Sequence, residues 1–199
     1  MMGYKREQYS EVMARINEPR GKMQVIVGPR QVGKSTLIGQ VLEVCNMPYD
    51  SYSADDVVGA SADWLAGVWQ TARMRMDIRG EGKRLLVVDE IQKINNWSET
   101  VKAEWDRDTR EKRELIVVLL GSSRMLTEKG LTESLAGRYE LIRLTHWTFP
   151  EMRECSVGIS INMSILVGIR AQHLISPMSV VGETTSKTLW LNHPSRRMY

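Results

Sequence analysis

Short, dense apolar runs alternate along this chain with longer stretches in which hydrophobic residues recur every three or four positions. Met23 to Val27 is apolar except for Gln24 and runs into Gly28-Pro29; Leu85 to Val88 is wholly apolar and ends in Asp89-Glu90; Leu115 to Leu120 is wholly apolar and ends in Gly121-Ser122-Ser123. Apolar runs of this length, without polar alternation, predict strands covered on both faces. Tyr49 to Ser53 and Tyr139 to Leu144 read as two further strands. Helical spacing covers residues 4–17, the stretch Leu37 to Val44, and residues 61–78. In the last of these Ser61 is placed as a cap, and Trp64, Leu65, Val68, Trp69, Ala72 and Met76 fall near one stripe. Gly80-Glu81-Gly82 breaks that helix. Asn96-Trp97-Ser98-Glu99 predicts another helix start, with Glu99 in the capping-box position, and helical material interrupted at Gly130 follows the third apolar run. Strands alternating with helices predict an α/β fold, a parallel sheet of about five strands with helices on both faces.

Composition adds bounds. The 199 residues are 42% hydrophobic and 26% charged, which suits a globular α/β domain with a small appendage. No apolar run approaches the ~18 residues that span a membrane, and Met1-Met2-Gly3-Tyr4-Lys5-Arg6-Glu7 lacks the apolar core and cleavage site of a signal peptide. Cys45 and Cys155 are far apart and lack metal-ligand spacing, which argues against a disulfide framework and predicts a reducing, cytoplasmic setting. The net charge of +3 is uneven: residues 1–155 hold 23 Lys/Arg and 23 Asp/Glu, while residues 156–199 hold 4 Lys/Arg and 1 Glu. The first 155 residues are thus neutral overall, and charge does not support a nucleic-acid partner. Arg73, Arg75 and Arg79 are expected on a solvated helix face.

The chemistry concentrates where strands end. Gly28-Pro29-Arg30-Gln31-Val32-Gly33-Lys34-Ser35 fits G-x-x-x-x-G-K-[ST], and Thr36 follows. Glycines let successive backbone N–H groups converge on phosphate oxygens, and the helix beginning near Lys34 adds the positive end of its dipole. In this pattern Lys34 reaches the β- and γ-phosphates of ATP and the Ser35 hydroxyl ligates Mg²⁺. The apolar strand before the loop and the helical spacing after it are the context that the pattern requires. Asp89, ending the next wholly apolar run, is placed to hold the same Mg²⁺, and Glu90 to act as general base on a water. A solvated surface carboxylate is the plain alternative for Glu90. Ser122 and Ser123 end the following strand, where they either touch the γ-phosphate and the lytic water or cap a helix. Arg138 is either an ordinary surface charge or an arginine finger offered to the ATP of a neighbouring copy.

Taken with Asp89-Glu90-Ile91-Gln92, Trp97, Gly121-Ser122-Ser123, Ser134-Leu135-Ala136-Gly137-Arg138 and Phe149-Pro150-Glu151, residues Gly28 to Thr36 resemble a known family. It is the group of prokaryotic AAA+-type ATPases whose AAA domain is fused to a C-terminal domain of unknown function. The resemblance covers roughly residues 10–155. It implies a P-loop NTPase sheet of AAA type, ATP and Mg²⁺, a sensor role for Ser122 or Ser123, and Arg138 as a finger in a homo-oligomer. It supplies no substrate.

After Cys155 the resemblance stops. Charged residues fall from 46 in residues 1–155 to 5 in residues 156–199. A divergent tail is one reading. The other is a frameshift: Ile165 to Arg170, written ATT TTG GTG GGT ATC CGG, reads Phe-Gly-Gly-Tyr-Pro-Gly two bases later, and the same offset gives a charged, family-like string over Pro177 to Tyr199. Residues 1–155 are therefore expected to form the AAA-type domain, with 156–199 an out-of-frame or poorly ordered tail left by a base lost near Cys155-Ser156.

The leading functional expectation is Mg-dependent ATP hydrolysis coupled to conformational change on an unidentified macromolecular partner. The alternatives are a nucleotide-binding switch with negligible hydrolysis and an inactive truncated fragment. A small-molecule kinase would want an Arg-rich lid, and the sequence offers no clear one.

Overall fold

A computed structural model describes residues 4–126 and 134–157 of the chain. The expected break at Gly130 and residues 158–199 lie outside the described residues. In chain order the elements are α1 (Gln8–Asn17), β1 (Met23–Gly28), α2 (Lys34–Val44), β2 (Tyr49–Ser53), α3 (Ala62–Arg79), β3 (Arg84–Asp89), α4 (Trp97–Arg110), β4 (Leu115–Ser122), β5 (Tyr139–Arg143) and α5 (Phe149–Val157), with short 3-10 turns at Ile91–Lys93 and Ser123–Leu126. The proposed domain boundary at Cys155 falls inside α5.

The five strands form one sheet in the order β2-β3-β4-β1-β5, and every pairing is parallel. The apolar runs divide by strict alternation. Met23, Val25, Val27, Leu86, Val88, Leu115, Val117 and Leu119 face one layer, where Leu65, Val68, Trp69, Ala72 and Met76 of α3 meet Trp97, Val101 and Trp105 of α4. Ile26, Leu85, Val87, Ile116, Val118 and Leu120 face the other, against Val12 and Ile16 of α1 and Leu37, Ile38 and Val41 of α2. Period-two geometry sends neighbouring residues to opposite faces, so a strand covered on both sides must be apolar throughout.

Three expectations need correction. The first helix begins at Gln8 rather than residue 4, because Tyr4 to Arg6 are engaged elsewhere: the Tyr4 carbonyl accepts from Gln40 Nε2 at 3.0 Å, and Arg6 reaches the β5–α5 junction. At Asn96 no capping box forms. Asn96 has φ 56°, a left-handed conformation, and makes no side-chain cap bond, whereas an N-cap side chain reaches the helix N–H groups from the extended region; Glu99 pairs with Ser134 instead. The third concerns the arginines of α3. Arg73 is only 2% exposed; its Nε lies 2.6 Å from Asp108 Oδ1, its Nη1 2.5 Å from Glu104 Oε2, and Trp69 Nε1 completes the carboxylate at 2.7 Å. Arg75 is partly exposed and pairs with the buried Asp50, and Arg79 is the most exposed of the three.

Candidate functional site

The strand order fixes where a site can form. The chain leaves β1 toward β2, on one side of the sheet, and leaves β4 toward β5, on the other. Connections diverging from two adjacent strands open a crevice at their carboxyl ends. The residues at those two ends, Gly28 and Ser122, are paired in register.

Gly28 must be glycine, because a Cβ there would lie 2.4 Å from the Leu144 carbonyl oxygen. The loop then turns through left-handed backbone at Gln31 (φ 62°) and Gly33 (φ 96°). Val32 is buried and anchors the loop in the α1–α2 layer, while Arg30 and Thr36 are exposed and Pro29 is half-buried. Gly33 caps α2 without a side-chain acceptor, and the first turn of α2 carries no acidic residue, which leaves its positive end for an anion. Lys34 is 5% exposed; its Nζ lies inside the curve of the loop, donating to the carbonyls of Gly28 (3.2 Å) and Pro29 (2.9 Å).

Ser35, in the first turn of α2, donates its hydroxyl to Asp89 Oδ2 at 2.6 Å, and Asp89 Oδ1 accepts from Glu90 N at 2.7 Å. A hydroxyl and a carboxylate side by side at the crest are hard oxygen donors suited to Mg²⁺. Among the described residues no group of three or more His, Cys, Asp or Glu could hold a metal, so this pair fits an ion whose remaining ligands come from water and phosphate. Beside it a cavity of about 200 Å³ runs between α2 and β2, lined by Ser35, Ser51, Tyr52, Ser53, Asp56 and Asp89 among others.

Ser122 and Ser123 part company. Ser122 is 5% exposed, and its Oγ is buried with no hydrogen-bond partner among the described residues. It therefore caps no helix, and an orphaned hydroxyl beside Gly28 fits a phosphate or water ligand. Ser123 is exposed and lines a second cavity of about 250 Å³ with Gly28, Pro29, Arg143 and His146.

Arg138 is not brought to its own chain's loop. Its carbonyl accepts from Met23 N at 2.8 Å, at the start of β1 and thus at the opposite end of that strand from Gly28. Its guanidinium grips Asp106 with two bonds of 2.8 and 3.0 Å. That hydrogen bond holds the Asp106 carboxyl below its ordinary range and raises Arg138 in turn.

Arg6 carries no signal in the sequence and Glu151 appears there only within a motif; their pairing emerges only in the fold. Arg6 donates Nη1 to the Val32 carbonyl at 3.1 Å and Nη2 to the Thr145 carbonyl at 3.1 Å, sets Nε 2.8 Å from Glu151 Oε1, and lies over the Trp147 ring. Glu151 also accepts from Thr148 N and Oγ1 at 2.8 and 2.9 Å, closing a capping box at the start of α5. Burial pushes the Glu151 carboxyl up, but the Thr148 bonds and Arg6 outweigh it and hold it low. Glu151 stood in the sequence only within Phe149-Pro150-Glu151, and nothing there tied it to Arg6. Gln92, which the sequence shows only as part of a motif, bridges Glu90 and Ser122.

Among solved structures the Thermotoga maritima RuvB Holliday junction branch migration motor is similar, with a TM-score of 0.52 at 17% identity over 76% of this chain and 49% of that one. The chain spans about half that motor's length, and at this identity the likeness shows the fold alone. No curated protein sequence matches. The AAA domain family matches residues 20–153, the stretch that holds all five strands, the loop at Gly28–Thr36 and the Asp89-Glu90 pair; the chain belongs to the AAA family of P-loop ATPases.

Proposed function

We propose that the chain binds ATP with Mg²⁺ at Gly28–Thr36 and hydrolyses it, with Glu90 as general base. The observation that carries this is the 2.6 Å contact between Ser35 Oγ and Asp89 Oδ2, which brings together two hard oxygen donors that are the sequence neighbours of Lys34 and Glu90. Bound Mg²⁺ supplies Lewis acidity toward the phosphate oxygens. Backbone N–H groups of the loop and the end of α2 hold the phosphates, and Lys34 adds the ammonium. Glu90 takes a proton from a water whose oxygen attacks the γ-phosphorus; the bond to the β,γ-bridging oxygen breaks and ADP leaves. The Ser122 hydroxyl orients that water or the γ-phosphate.

Two observations support coupling to a partner. Arg6 ties the Val32 carbonyl of the loop to Thr145 and Glu151, a route by which the loop acts on the segment after β5. Arg138, remote from its own loop and held by Asp106, would serve a neighbouring copy that approaches that end of the sheet and draws it from Asp106. The RuvB likeness raises DNA as a partner class, which the neutral body does not favour. Phosphate release from ATP, measured with and without Mg²⁺ and with and without nucleic acid, tests the reading. Mg-dependent release is expected; nucleotide binding with no release would leave a switch.

A further inference from the structure

Ile91 is fully buried and pins the turn after Glu90, and this returns Gln92 over the end of β4. There the carboxamide makes two hydrogen bonds: Nε2 donates to Glu90 Oε2 at 2.5 Å, and Oε1 accepts from Ser122 N at 3.2 Å. Its orientation follows from its partners, since a carboxylate only accepts and a backbone N–H only donates. Reversed, it would face acceptor with acceptor at Glu90 and donor with donor at Ser122. Gly121 makes the space: a Cβ there would come within 2.5 Å of Gln92 Oε1 and 1.9 Å of Met125 Sδ. One carboxamide thus joins the end of β3 to the end of β4, and Ser122 is in turn the register partner of Gly28.

We propose that Gln92 is a positioning residue for Glu90, pinning its carboxylate over the end of β4 so that the water it deprotonates is held beside the Ser122 hydroxyl. This rests on the hydrolytic reading above. Glu90 has a flexible side chain and is partly exposed at the rim; without the amide donor it ranges over rotamers, and misplacing a reacting group by about 1 Å costs about 10²-fold in rate. Among the described residues the hydrogen bonds of Gln92 go to Glu90 and Ser122, and those of Lys34, Ser35 and Asp89 do not include it, so nucleotide binding is expected not to depend on it.

Gln92→Glu is the discriminating change. It keeps the shape and the acceptor for Ser122 N–H, and it sets a second carboxylate against Glu90. Both Gln92→Glu and Gln92→Ala should lower kcat by roughly 10- to 100-fold, with KM and the affinity for ADP in direct titration unchanged. In a Glu90→Gln background neither should cost more, because a residue acting through another adds nothing once that other is gone. Independently of turnover, the Gln92 side-chain amide signals in a nitrogen–proton correlation spectrum of the nucleotide-free protein should move on Glu90→Ala. Undiminished kcat in Gln92→Glu, a full further loss in the Glu90→Gln background, or amide signals indifferent to Glu90→Ala overturns the inference alone. A wild-type chain without turnover overturns the hydrolytic reading and takes this inference with it.

Discussion

Ser35 and Asp89 are 54 residues apart in sequence, and their side chains meet at 2.6 Å. The contact follows from topology. The crossover through α2 leaves β1 and passes over β4 and β3 on its way to β2 at the sheet's edge, so the first turn of α2 leans toward the strand that ends in Asp89. A hydroxyl and a carboxylate meeting at a crest of parallel strands, beside a buried lysine, form the part of the site that every other assignment leans on.

Lys34→Ala should weaken ATP and ADP alike, by roughly 10- to 100-fold for the loss of a charge-assisted hydrogen bond. Asp89→Asn should weaken only the Mg-dependent part. Isothermal titration of each variant, with Mg²⁺ and with chelator, separates the two. Equal losses in both conditions for Asp89→Asn would remove it from the metal site.

Glu90→Gln should retain nucleotide affinity, because binding rests on the loop, Lys34, Ser35 and Asp89. Turnover should fall by ~10²-fold or more, the scale of a lost general base. Single-turnover phosphate release reads this directly, and wild-type rates in the variant would dismiss Glu90 as a solvated carboxylate.

The parts legible in sequence were those set by local rules. Strands apolar on both faces announced themselves; Ser61 capped α3 as expected, its Oγ accepting from Trp64 N at 3.3 Å; and the glycine spacing of the loop is a demand on backbone geometry that only a few residue types meet. What stayed hidden depended on partners far along the chain. Arg73 looked like a solvated charge because its neutralising carboxylate, Asp108, arrives 35 residues later on another helix. Arg6 finds Glu151 across 145 residues. Ser122 and Ser123 were indistinguishable until the strand ended between them, leaving one buried on β4 and the other exposed in the turn. Gln92 had no visible role because its second bond is to a backbone N–H on a different strand.

Arg138→Ala should lower turnover and leave nucleotide affinity intact if the residue serves a neighbouring copy's site. Mixed with Lys34→Ala it should recover part of the activity, since each chain supplies what the other lacks. The Asp106 grip adds a sharper arm. Asp106→Ala frees the guanidinium, so turnover should persist and stay dependent on protein concentration. Turnover independent of concentration in wild type and in Asp106→Ala would argue for sites completed within one chain.

Asp50 tests the sheet edge remote from the loop. Its carboxylate is buried at the start of β2, with Arg84 Nε 2.6 Å from Oδ2 and Arg75 on the other oxygen. Burial alone pushes the carboxyl up; the Arg84 bond and charge, then Arg75, more than reverse it, and the folded value lies below the ordinary 3.8. A depressed folded value means that the stabilisation is fully present above about 3.8 and is lost as pH falls through the folded value. Asp50→Asn strands two guanidinium groups, one of them buried, and should cost on the order of 3 kcal/mol at neutral pH. Because the wild type forfeits the same charge in acid, the gap between the two proteins in urea unfolding should be constant from neutrality to about pH 5 and narrow below about pH 4. Nucleotide affinity of the folded variant should match wild type, since Asp50 lies near the start of β2 and it is the far end of that strand, at Ser53, that pairs with Asp89. A gap that stays wide in acid would mean that Asp50 stabilises through packing or neutral hydrogen bonds instead of its charge.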